Sequence, residues 1–111
     1  MVLTVTTSLV ELDGKYGLLV ESDDPATSEF FEQRGLEGNG YTWNGVVESI
    51  ARLEMAGECQ KLDWSPEADS ILILCSESEP LERLEQHIAD YAGDDSKIES
   101  ALAAANPEMM D

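Results

Sequence analysis

The chain has 111 residues, 42% of them hydrophobic, and carries 24 Asp and Glu against 6 Lys and Arg, a formal net charge of −18 at pH 7. A surface this negative repels nucleic-acid phosphates and anionic membranes and draws in basic proteins through its summed field, which excludes direct nucleic-acid or membrane binding as a role. The apolar residues fall in periodic runs, unlike those of a disordered acidic tail, and a chain of this length implies a single core.

The first ten residues lack the basic start, long apolar stretch and small-residue cleavage site of a secretory signal, and no apolar run approaches the roughly 20 residues of a membrane span. A cytoplasmic protein is expected. Leu3 to Val10 alternates at its start, Asp13-Gly14 supplies a turn, and Tyr16-Gly17-Leu18-Leu19-Val20 resumes the apolar run, which reads as a β-hairpin. Asp24 is placed to cap a helix that begins at Pro25 and ends at Gly35. The next six residues, Gly35-Leu36-Glu37-Gly38-Asn39-Gly40, hold three glycines and turn the chain between two helices. A phosphate-cradling loop is the sharper reading, but no Lys or Ser/Thr stands at Walker spacing and a helix precedes the loop.

Trp43, Val46, Val47, Ile50 and Leu53 then recur at helical spacing over Tyr41 to Ala56, with Gly57 as the stop. Cys59 to Trp64 and Ser70 to Cys75 read as strands joined by Ser65-Pro66-Glu67-Ala68-Asp69. A turn centred on Glu67 sets Cys59 opposite Cys75 and Leu62 opposite Leu72, though a reducing cytosol argues against a disulfide. Ile71-Leu72-Ile73-Leu74 is apolar at every position, which predicts a central strand covered on both faces. Ser78-Glu79-Pro80 opens a helix with Leu81, Leu84, Ile88 and Tyr91 on one face and Gly93 at its end; a last helix follows over about Ser96 to Ala105. The order ββααββαα, with two hairpins and no βαβ crossover, predicts an α+β fold: an antiparallel sheet with helices packed on it. Residues 1–105 form one acidic domain in this reading, and 106–111 a frayed tail.

Candidate chemistry is sparse. His87 is the only histidine and lies on the flank of the third helix's buried stripe, with no nucleophile placed beside it by a recognisable motif. The pairs Asp23-Asp24 and Asp94-Asp95, and Glu77 with Glu79, suit helix starts, where the macrodipole favours negative groups. Cys59 and Cys75 are too far apart in sequence for a zinc knuckle or a redox pair and read as small core residues. No segment has the spaced oxygen ligands of a calcium loop. No catalytic residue, metal or cofactor is expected. Trp64, ending a strand beside Glu67 and Asp69, has two readings: cover for one edge of the core, or an aromatic anchor ringed by acids at a protein interface.

The segment Phe30-Phe31-Glu32-Gln33-Arg34-Gly35-Leu36-Glu37-Gly38-Asn39-Gly40-Tyr41-Thr42-Trp43, followed by a helix and by Leu62-Asp63 and Pro66-Glu67-Ala68-Asp69, resembles the immunity protein 51 family of bacterial polymorphic toxin systems. The likeness runs from about Ser28 to His87, and Gly38 to Trp43 is its most specific part. The resemblance implies an α+β immunity protein that binds a cognate toxin in the cytoplasm and neutralises it. That agrees with the charge, because toxins that act on nucleic acids present basic clefts that an acidic protein can occupy. Exposed-loop acids and polar aromatics nominate Trp64, Glu67 and Asp69 on the second hairpin turn, with Asn39 and Tyr41 in the inter-helix loop as a second patch. Two other readings share the charge: an acidic, phosphate-mimicking inhibitor or regulatory subunit of an unrelated basic protein, and a small carboxylate-dependent enzyme. The sequence does not set an oligomeric state.

Overall fold

Asp13 and Gly14 both take positive φ, 33° and 87°, the left-handed pair that a tight hairpin turn requires. They join β1 (Thr6–Leu12) to β2 (Lys15–Glu21) in an unbroken antiparallel ladder from Leu12 opposite Lys15 to Thr6 opposite Glu21. The computed structural model describes residues 3–22 and 24–110, so Asp23, one of the acids assigned to a helix start, lies outside it together with residues 1, 2 and 111.

Asp24 caps α1 (Pro25–Glu32) by accepting the Ala26 N–H. Beyond the helix, the Leu36 N–H reaches back to the Phe31 carbonyl and the Gly35 N–H to that of Glu32, with Gly35 at φ 77°. This is the paired closure for which glycine is the favoured residue. Asn39 then caps α2 (Gly40–Glu54), whose Trp43, Val46, Val47 and Ile50 are buried.

Several expectations fail in the next segment. Leu53 is 50% exposed, because the buried arc of α2 passes through Ala51 to Met55 instead. Gly57 does not stop a helix. The break comes at Met55, whose backbone leaves the helical region at φ −138°, ψ 42°, and the chain makes one more turn, α3 (Ala56–Cys59). Cys59 is therefore helical, and it cannot face Cys75 across a ladder. The strands that do form are β3 (Asp63–Pro66) and β4 (Ser70–Cys75), with Trp64 opposite Ile73 and Ser65, not Leu62, opposite Leu72. The register moves because the turn centres on Ala68-Asp69, closed by the Glu67 N–H donating to the Ser70 carbonyl at 2.7 Å. Both cysteines are free, Cys75 buried in the core and Cys59 partly buried against it.

The four strands lie in the order β1-β2-β4-β3, all antiparallel. Register assigns Leu18, Val20, Ile71, Ile73 and Cys75 to one face, and all five are buried. Against that face pack α2 and α4 (Ser78–Ala92), the latter through Leu81, Leu84, Ile88 and Tyr91. Then α5 (Asp95–Ala104) lies on both, Asp94 capping it and Ile98 and Ala101 buried. The architecture is α+β, an antiparallel sheet with five α-helices among the described residues. β4 is central as expected but covered on one face only, since Leu72 and Leu74 on the other face remain half-buried.

Within the 106–111 segment, where fraying is expected, Pro107–Met110 forms a 3-10 turn docked on α2. The Asn44 amide donates to the Met109 carbonyl at 2.7 Å, a long-range tie invisible to local composition.

Candidate functional site

The inter-helix loop and the second hairpin turn, nominated as separate patches, meet. The Gly40 N–H, at the start of α2, donates to the Ala68 carbonyl of the β3–β4 turn at 2.9 Å. A Cβ on Gly40 would fall on the Glu67 carbonyl oxygen and lie 2.7 Å from both the nitrogen and the oxygen of Ser70. Only glycine lets the helix start sit this close to the turn. Gly38, at φ 73°, makes the neighbouring approach, a Cβ there lying 3.1 Å from the Ser28 Cα.

Asn39 holds this clasp in shape. Its Oδ1 accepts the Thr42 N–H at 3.0 Å, which satisfies one of the free donors at the helix start. Its Nδ2 donates to the Glu37 carboxylate at 2.8 Å, and the Gly38 N–H donates to the Thr42 hydroxyl at 3.2 Å. Glu37 gains a second benefit from its place, since the positive end of the helix macrodipole favours an acid there.

Around the clasp runs an open cleft of about 520 Å³, lined by Glu21, Glu37, Asn39 and Asp69 with small hydroxyl residues between them. Glu37 and Asn39 also form one wall of an adjoining cleft that contains Tyr41 and the Met110 side chain. Glu67 is exposed on the turn itself. Of the nominated residues, the structure thus gathers Asn39, Tyr41, Glu67 and Asp69 and leaves out Trp64. That tryptophan projects from the helix-covered face, partly buried against the core, in a groove shared with Cys59, Arg52 and Met109. Glu21 and Glu37 were missed. Glu37 sits inside the glycine loop two residues before Asn39, a usable signal, whereas Glu21 comes to the cleft only because the end of β2 lies beside the start of β4.

The cations are distributed unevenly. All three arginines are tied to acids: Arg34 to Glu99, Arg52 to Glu48, and Arg83 to Glu58 and Glu79. Every one of those four acids belongs to an α-helix, where seven further Asp and Glu also stand, so the arginines offset part of the helical charge and none of the cleft's. His87 faces Glu54, Nδ1 to Oε2 at 3.8 Å, and the other oxygen of Glu54 accepts the Tyr91 hydroxyl at 2.9 Å. Burial, reinforced by that bond, raises the Tyr91 pKa, and burial raises that of the Cys59 thiol. Among the described residues, no group of three or more His, Cys, Asp or Glu could hold a metal ion.

The sequence of the immunity protein 51 family matches residues 7–107, nearly the whole chain. The chain belongs to that family. The match spans both hairpins and the last helix, beyond the Ser28 to His87 stretch that carried the resemblance. No match was found among curated proteins or among solved structures. Membership makes this chain an immunity protein of a toxin system, whose partner is a cognate toxin and whose role is inhibition. Among the described residues, no helix is long and apolar enough to cross a membrane.

Proposed function

We propose that this family member binds a toxin with a basic, nuclease-type surface in the cytoplasm and neutralises it by steric and electrostatic occlusion, carrying out no reaction of its own. The observation that carries the reading is the charge distribution. A net charge of −18 is spread over helices and loops alike, and the cleft lined by Glu21, Glu37 and Asp69 is a part of that field whose acids are paired with none of the arginines. A nuclease must hold phosphates with Lys and Arg, and the same cationic surface is attracted to such a cleft.

The interface in this reading includes Asn39, Tyr41, Glu67 and Asp69 around the clasp, with Trp64, on the edge strand β3, as an aromatic contact at the rim of the sheet. Charge sets the encounter rate, which falls as salt rises, and a few desolvated contacts set the residence time. The setting is contact-dependent inhibition between bacteria, with the immunity protein shielding its producer. The test is co-expression of the toxin domain encoded beside this chain in a sensitive host. Growth only when the immunity protein is present supports the reading; killing that continues despite abundant soluble immunity protein refutes it.

A further inference from the structure

The helices cover one face of the sheet, and the other face is unusually apolar for a surface meeting water. In an antiparallel sheet packed on one side, the outward positions are expected to be polar. Here register puts Val10, Leu12, Leu19, Leu72 and Leu74 at outward positions of β1, β2 and β4. Leu12 is 41% exposed and the other four are half-buried. Val10, Leu72 and Leu74 converge over Gly17, where an added Cβ would lie 3.0 Å from Val10, 3.1 Å from Leu72 and 3.4 Å from Leu74. The packing of α2 and α4 is against the opposite face, through residues such as Leu18, Ile71 and Ile73. A contiguous apolar patch left open in this way marks an interaction surface.

Charge decides what covers it. The outward positions at the margin of the patch include Glu21 and Asp63, with Lys15 as the one cation among the outward strand positions. At the end where β2 finishes and β4 begins, the face runs into the acidic cleft, because Thr6 and Glu21 belong to both. A second copy of this chain would bring another −18 against the same acids, which like-charge repulsion opposes. Size points the same way. Four strands about 4.8 Å apart, of seven, seven, six and four residues, present roughly 400 Å² at about 3.4 Å per residue, short of the about 800 Å² per partner of a stable complex. The sheet face needs the cleft to reach that size.

We propose that this uncovered sheet face is the docking surface for the cognate toxin. An apolar patch of the toxin seats on Val10, Leu19, Leu72 and Leu74, while Lys or Arg side chains at the patch margin enter the cleft between Glu21, Glu37 and Asp69. The inference rests on the proposed function and adds the surface through which it acts.

The test measures binding of an inactivated form of the toxin domain encoded beside this chain, by surface plasmon resonance, to the wild type and to the Leu19→Thr/Leu72→Thr double variant. Threonine suits a strand and the positions are only half-buried, so the fold should survive. A dissociation constant weakened about 10- to 100-fold, mostly through faster dissociation, is expected. Alkylation of a thiol at an exposed serine of the same face, as in Ser65→Cys, reads the surface without disturbing the patch, and protection of that thiol in the complex is expected. Wild-type affinity of a folded double variant, or an unprotected Ser65→Cys thiol, overturns the surface alone. No complex of the toxin domain with the wild type overturns the proposed function and this surface with it.

Discussion

Replacing Gly40 by alanine separates helix propensity from tertiary packing, because the two predict opposite signs. Alanine is the better helix former by about 1 kcal/mol in a helix interior, so propensity predicts a neutral or stabilising change at the start of α2. The structure predicts the reverse. The new methyl meets backbone on three sides, the Glu67 carbonyl oxygen and the nitrogen and oxygen of Ser70, the latter two at 2.7 Å. Backbone held by the β3–β4 ladder cannot swing aside as a side-chain tip does, so α2 and the turn must part. Overpacking of this kind costs about 1–3 kcal/mol, and losing the Gly40 to Ala68 hydrogen bond adds about 1 kcal/mol. The expected destabilisation is about 2–4 kcal/mol, which at a urea dependence near about 1.5 kcal/mol per molar lowers the unfolding midpoint by roughly 1–3 M. Gly57→Ala is the matched control: nothing lies within 4 Å of its Cβ position, its φ is not positive, and it sits in α3. It should gain roughly 0.5–1 kcal/mol. Urea unfolding of the three proteins followed by circular dichroism decides the matter. A Gly40→Ala midpoint equal to or above wild type would refute the close approach of helix and turn.

Three further outcomes are expected. Asn39→Ala removes the cap of α2 and should cost about 1 kcal/mol in the same unfolding assay, with Asn39→Ser recovering most of it. Equal stability of all three would show that the Thr42 N–H has another partner. Burial and then the bond to Glu54 raise the Tyr91 pKa, so the folded protein keeps a proton that the unfolded chain releases above about pH 10. This contribution is complete below that pH and is lost as pH rises through the folded value. Cys59 acts with the same sign, so in a Cys59→Ala background Tyr91→Phe should flatten the alkaline decline of the unfolding midpoint. An unchanged slope would remove Tyr91 as its cause. Reversing Glu67 and Asp69 to Lys should slow toxin association several-fold at low salt, with the rates converging near about 1 M salt, where the Debye length is about 3 Å. Stopped-flow rates that match wild type at low salt would take both acids out of the steering field.

Local features of the sequence were enough for both hairpins, for the longer helices and for most of their boundaries, but not for the extra turn α3. Asp13-Gly14 between alternating runs is a hairpin wherever it occurs, Asp24 before Pro25 starts a helix, and the spacing of Leu81, Leu84, Ile88 and Tyr91 marks a buried face. Each depends on residues within a turn or two of one another. The misread stretch, Met55 to Asp63, has no such local mark: a break at Met55, a further helical turn and a turn centred on Ala68-Asp69 together move the β3 register. The docked turn over Pro107–Met110 likewise depends on Asn44, far away in the chain.

The candidate site divides along the same line. Asn39, Glu67 and Asp69 were legible as polar or acidic residues in loops, whereas Tyr41, expected in the same loop, lies in the first turn of α2; the charge of −18 led to the expectation of a basic protein partner. That the loop and the turn form one clasp, that Glu21 joins them, and that Trp64 does not, followed from strand order and from the contact between Gly40 and the turn. The run Ile71 to Leu74 shows the limit most clearly, since its side chains are alike in character along the chain. Which of them face a core and which face open solvent is set by where α2 and α4 come to rest, a choice made by long-range packing and not by the strand's own residues.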